Sequence, residues 1–93
     1  MIISGKVKII RRQSDYYDIT EEVIIVAKRT TPDIVVVMDK VLAIVTEVNS
    51  KLHHAAIISR EYNKPLVMGV ENATRKYKDG DIIFINIDKK IIC

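Results

Sequence analysis

A chain of 93 residues has room for one small hydrophobic core, and 15 Lys and Arg against 12 Asp and Glu leave a net charge of only +3, too mild to mark a nucleic-acid binder by charge alone. Trp is absent, and four Tyr and one Phe supply no platform on which bases would stack. The single cysteine is the last residue, Cys93, which excludes a disulfide within the chain and a thiolate metal cluster.

Ile and Val together supply 28 residues against three Leu, and such stiff, β-branched side chains predict a sheet-rich core. In chain order, Ile2 to Arg11 alternates loosely and predicts a half-buried strand. Its Lys6, Lys8, Arg11 and Arg12 form the one basic cluster, read as a solvated strand face in preference to a phosphate contact. "RRQSDYYDITEE" is polar and turn-forming, so a loop or hairpin end is expected there. "VIIVA", Val23 to Ala27, is a continuous apolar run of the kind covered on both faces. "DIVVVMDK" is open: its β-branched run favours a strand, yet Pro32 just before it suits a first helical turn. "VLAIVT", Val41 to Thr46, is a second buried-type strand, and "EVNS" a loop.

From Lys51 to Tyr62 a helix is predicted, capped by Ser50 or Asn49. Leu52, Ala55, Ala56 and Ser59 recur at helical spacing and give a narrow face of mostly small side chains, able to lie close on a sheet. Asn63 suits a left-handed end and Pro65 forbids continuation. "LVMGV" is a third buried-type strand, "ENATRKYKDGD" a polar connection turning at Asp79–Gly80, and "IIFINIDKKII" a final strand or tight hairpin. The expected fold is a single α/β domain over 1–93 with a mixed sheet and one main helix starting near His53 and His54. No apolar run approaches the ~20 residues of a membrane span and the N-terminus lacks a signal-peptide layout, so a cytoplasmic protein without membrane or nucleic-acid partners is expected.

His53 and His54 are the only histidines, placed where the predicted helix begins. A helix N-terminus carries unpaired amides and partial positive charge, and so favours an anion. An imidazole there can take a phosphoryl group on a ring nitrogen and hold it over those donors, because neutral imidazole, with an ordinary pKa of ~6.5, is a competent nucleophile near pH 7. Taken on spacing alone, two adjacent polar residues at a helix end are usually just a solvated terminus, and that is the reading the spacing favours here. Adjacent helical histidines diverge by about 100°, which does not make a metal site. Gly5, Gly69 and Gly80 are too far apart for a glycine-rich nucleotide loop, and neither Ser50 nor Ser59 sits in a glycine elbow.

The segment "TTPDIVVVMDKVLAIVTEVNSKLHHAAIISREYNKPLVMGVENATRKYKDGD", Thr30 to Asp81, resembles the mobile phosphohistidine domain of phosphoenolpyruvate-utilising enzymes, with phosphoenolpyruvate synthase and pyruvate phosphate dikinase nearest. Thr30, Pro32 and Asp33 match that family's T-D-P-D, and Ala43 to Thr46 its A-I-V-T. His54 to Ile58 match H-A-A-I-I, Arg60 and Glu61 its R-E, and Pro65, Val67 and Gly69 its P-x-V-x-G. The resemblance implies a swivelling β/β/α domain in which His54 accepts a phosphoryl group at one site and delivers it at another. His53 is then the alternative acceptor or a neighbour, and Thr30, Asp33, Asn49, Ser50 and Arg60 are the candidate supporting residues, with Thr30 and Asp33 reading equally as helix caps and Arg60 rather as a surface or domain-contact residue. Departures fall just before the histidine: Asn49 and Ser50 replace the family's paired glycines, and Leu52 and His53 replace Thr-Cys or Thr-Ser.

The resemblance implies no cofactor held by the chain itself. Mg2+ and ATP or phosphoenolpyruvate would sit on nucleotide-binding or phosphoenolpyruvate-binding proteins acting in trans, making the chain a stand-alone carrier and one component of a phosphotransferase. The alternative is a non-catalytic binding or regulatory module that keeps the swivelling-domain fold.

Overall fold

The computed structural model describes residues 1–49 and 54–92. One six-stranded sheet runs through it in the order β4-β3-β2-β1-β5-β6. Strands β1 (Ile2–Ile10), β2 (Val23–Ala27), β3 (Val41–Thr46) and β4 (Leu66–Val67) are parallel, while β5 (Ile82–Asn86) and β6 (Ile91–Ile92) join as an antiparallel hairpin. β1 is divided between the two systems: Ile2 to Lys6 pair with β5, and Val7 to Ile10 pair with β2. The mixed α/β architecture is the one expected, and "IIFINIDKKII" resolves as a hairpin.

The sheet is covered on both faces, which is why its central strands are apolar without alternation. Every residue of β2 is buried. Val23, Ile25 and Ala27 face one side, packing with Tyr16, Ile34, Val37, Met38 and Ile58 from the connecting helices. Ile24 and Val26 face the other, with Val7, Ile9, Ala73, Ile83 and Ile85. In β3 the pairing jumps from Val23–Val41 to Ile24–Ala43, so Leu42 is an extra residue, a bulge. That one-residue shift sends Val41 and Ile44 to one cluster and Ala43 and Val45 to the other.

The stretch left open between strand and helix is a 3-10 helix, Pro32–Lys40. Proline at its first turn gives up an amide that has no helical partner anyway. Ile34, Val37 and Met38 reach the core while Val35 and Val36 point to solvent, a three-residue repeat that no half-buried strand would satisfy. "RRQSDYYDITEE", expected as a loop, also holds a 3-10 helix, Gln13–Asp18. The Asp15 carboxylate starts it by accepting from the Arg11 and Arg12 amides at 2.8 and 3.1 Å, and Tyr16 anchors it with no exposed surface. Both amides hold that carboxyl below its ordinary value, that of Arg11 the more strongly.

Helix α1 is described over His54–Glu61 and buries Ala55, Ala56, Ile58 and Ser59, so the small-residue face does lie against the sheet, joined by Ile58. Asn63 takes the left-handed conformation expected at its end, with φ 54. "LVMGV" forms only the two-residue β4, because Gly69 turns away with φ +72. A short helix α2 (Ala73–Lys76) lies within the segment expected to be a plain polar connection. No described helix is long and apolar enough to cross a membrane.

Candidate functional site

Three parallel strands deliver their carboxyl ends to one side of the molecule: Arg11 follows β1, Lys28 to Thr31 follow β2, and Glu47 follows β3. The first described residue of α1, His54, lies on that side as well, and the meeting point is one contact: the Thr30 hydroxyl lies 2.8 Å from Nδ1 of His54. Thr30 is buried, with 4% of its surface exposed, while His54 is half-buried. A buried hydroxyl is held in place by its surroundings, so this contact orients the ring from outside its own helix. The residue capping the 3-10 helix is Thr31, whose side chain makes no cap bond. Thr30 is thereby left to the histidine.

The tautomer decides what the contact does chemically. When Nδ1 carries the proton it donates to Thr30 Oγ1, and the lone pair is on Nε2 at the far edge of the ring. A ring arranged so is a nucleophile whose charge, once it has reacted, is met by the same acceptor.

Of the other residues singled out in the sequence, Asp33 lies in the first turn of the 3-10 helix Pro32–Lys40. It bears on Tyr16, whose hydroxyl is made less acidic by burial first and by the Asp33 charge as a smaller cause. Among the described residues no hydrogen bond or ion pair joins Asp33 to His54. Arg60 is exposed in the last turn of α1 and shares a cleft with Asn49, away from the Thr30 contact. The Asn49 side chain fills the space over Gly69, where an added Cβ would lie 3.0 Å from Asn49 Nδ2. His53 and Ser50 lie outside the described residues, as does Leu52.

One pair went unread in the sequence. Glu47 accepts from the Thr74 amide at 2.9 Å and from the Thr74 hydroxyl at 2.7 Å, tying the end of β3 to α2. The Thr74 hydroxyl and amide, ahead of Lys28 and Arg75, hold the Glu47 carboxyl below its ordinary value of 4.5. A carboxyl more acidic in the folded than in the unfolded chain adds stability above the unfolded value, and that stability is lost as the pH falls through the folded one. Thr74→Val should therefore raise the Glu47 pKa towards the ordinary value in a carbon-detected NMR titration. It should also flatten the loss of stability on acidification below about pH 5. The residues are 27 apart in sequence, with no spacing signal to join them.

The sequence profile of the family "PEP-utilising enzyme, mobile domain" matches residues 19–90. A probable phosphoenolpyruvate synthase from Archaeoglobus fulgidus is 41% identical over 91 residues, covering 98% of this chain and 12% of that protein. The uncharacterized phosphotransferase YvkC of Bacillus subtilis is 40% identical over 85 residues, covering 91% of this chain and 10% of its own length. Among solved structures, the NMR solution structure of Enzyme I (nEIt) superposes with a TM-score of 0.67 at 31% identity, over 82% of this chain and 32% of that one. The chain thus spans about a tenth of the length of these curated relatives. With the mixed sheet, the helix described from His54 and a match across residues 19–90, the chain belongs to the family of mobile domains of PEP-utilising enzymes.

Proposed function

We propose that this domain is a phosphoryl carrier that takes the group on Nε2 of His54 and passes it on. The observation that carries the reading is the 2.8 Å contact between Thr30 Oγ1 and His54 Nδ1. In the step proposed, the Nε2 lone pair attacks the phosphorus of ATP or phosphoenolpyruvate. The phosphorus–oxygen bond to the leaving group breaks, and that group departs with the electron pair. The Nδ1 proton stays on the ring, donated to Thr30, and the resulting imidazolium keeps that acceptor. Delivery is the reverse attack by an acceptor oxygen on the same phosphorus, returning the ring to its neutral form.

Phosphoryl transfer is dominated by positioning and by neutralising the charge on the moving group. Mg2+ and the donor's binding site are assigned to separate ATP- or phosphoenolpyruvate-using partners. This domain supplies the nucleophile and its orientation.

The test is intact mass at neutral pH after incubation with ATP or phosphoenolpyruvate and extract from the source organism. A single-phosphate increment that disappears on mild acid treatment supports the carrier. No increment from either donor, with the fold verified by circular dichroism, would turn the reading to a binding module that kept the fold.

A further inference from the structure

Four of the five arginines in the chain, Arg11, Arg12, Arg29 and Arg75, line one cleft of about 620 Å³ together with Lys28. Only one of the ten lysines is there, so the clustering is of guanidinium groups and not of basic charge in general. Glu47 is the sole carboxylate in the lining, and it is already engaged by Thr74. Five cations against one carboxylate is more positive charge than the whole chain carries in excess. Among the described residues, no carboxylate lies within ion-pair distance of Arg12, Lys28, Arg29 or Arg75, whereas Lys6 and Lys8 each have one, Glu21 and Asp79.

The cleft is assembled from separate parts of the chain. Arg11 and Arg12 leave β1, Lys28 and Arg29 leave β2, and Arg75 is on α2. Its frame is pinned: an Arg11 guanidinium nitrogen donates to the Thr74 carbonyl at 2.7 Å, and Glu47 accepts from the Thr74 amide and hydroxyl. Both neighbours of Thr30, Arg29 and Thr31, line the cleft, which sets it directly beside the Thr30–His54 contact.

We infer that this cleft is a binding site for a small phosphorylated ligand, held through its phosphate groups. Five like charges gathered around a single carboxylate still repel one another, and an added anion reduces that repulsion. Guanidinium forks match phosphate oxygens two at a time, which ammonium groups do not. A cleft of this size is in the range of small-molecule sites, and it suits a pyrophosphate or a nucleotide tail better than a lone phosphate. Binding does not require His54 to react and stands independently of the carrier reading.

The experiment is a proton–nitrogen NMR titration of the full chain with inorganic phosphate, pyrophosphate, tripolyphosphate and ATP at fixed ionic strength. Saturable shifts are expected at Arg12, Lys28, Arg29, Thr31 and Arg75, tightening with the number of phosphates and unchanged in His54→Ala. The double variant Arg29→Ala/Arg75→Ala should weaken pyrophosphate about 10-fold or more. Lys89→Ala/Lys90→Ala, which removes equal charge elsewhere, should change it by less than about 2-fold. ATP binding tighter than tripolyphosphate would identify the ligand as a nucleotide; equal binding identifies the phosphates alone as what is recognised. Shifts scattered over the surface lysines, or equal weakening in both double variants, would overturn the site. So would silence towards every phosphate with shifts at the same residues on adding polyglutamate, which would make this a docking face for an acidic protein.

Discussion

His54→Ala should abolish the acid-labile phosphate on this chain, and His53→Ala should retain it. Nothing in the spacing of the two histidines separates them. His54 is the one followed by A-A-I-I, and the buried Thr30 hydroxyl meets its Nδ1, which would leave Nε2 as the nucleophilic edge when Nδ1 carries the proton. Loss should be complete and not partial, because the covalent bond is made to the ring itself and alanine offers no atom to carry it. The fold should survive, since alanine is the best helix former and His54 is only half-buried in the first described turn of α1. Intact mass at neutral pH and a thermal melt of each variant are the two readings required. An increment lost in His53→Ala and kept in His54→Ala would move the acceptor by one residue and remove the role given to Thr30.

Thr30→Val is expected to slow phosphorylation by about 10- to 100-fold, the scale of one hydrogen bond to a group that becomes charged. Valine keeps the shape and removes the acceptor. The proton on Nδ1 then loses its partner and the ring populates the tautomer with Nε2 protonated, which cannot attack. Thr30→Ser keeps the oxygen and should fall within a few-fold of the native rate. Rate alone would not distinguish loss of orientation from a general loosening around a buried site. The ring nitrogen chemical shifts do so: in Thr30→Val they should move towards the Nε2-protonated pattern, and in Thr30→Ser they should stay. A slow variant with unchanged ring shifts would show that the hydroxyl acts on something other than the tautomer.

Much of this architecture was legible from side-chain branching. Val23 to Ala27 and Val41 to Thr46 are continuous apolar runs because each strand is covered twice, and both appear with the bounds expected. Their register was not legible, for the Leu42 bulge depends on which residue of β2 each residue of β3 meets. Two 3-10 helices escaped for a different reason: a period of three over six to nine residues leaves little trace against β-branched composition, and Tyr16 gives no sign in the sequence that it is buried. At the site, His54 was visible through the residues around it. The sequence offers Thr30 and Asp33 alike, and only the geometry shows that Thr30 touches the ring. The basic cluster read at Lys6, Lys8, Arg11 and Arg12 divides in the fold. Its lysines stand beside Glu21 and Asp79, while its arginines join Arg29 and Arg75 from distant parts of the chain.

Thr30 belongs to the exit of β2, the most deeply buried strand, whereas His54 belongs to α1. The imidazole is therefore tied by one hydrogen bond to the segment leaving the centre of the sheet, while its backbone belongs to the helix laid over that sheet. If the domain turns, Nε2 travels as a fixed point on a rigid arm, covering an arc set by the angle of rotation and its distance from the axis. Donor and acceptor must then both lie on that arc, and the orientation of the ring relative to the sheet would be the same at each end of the journey.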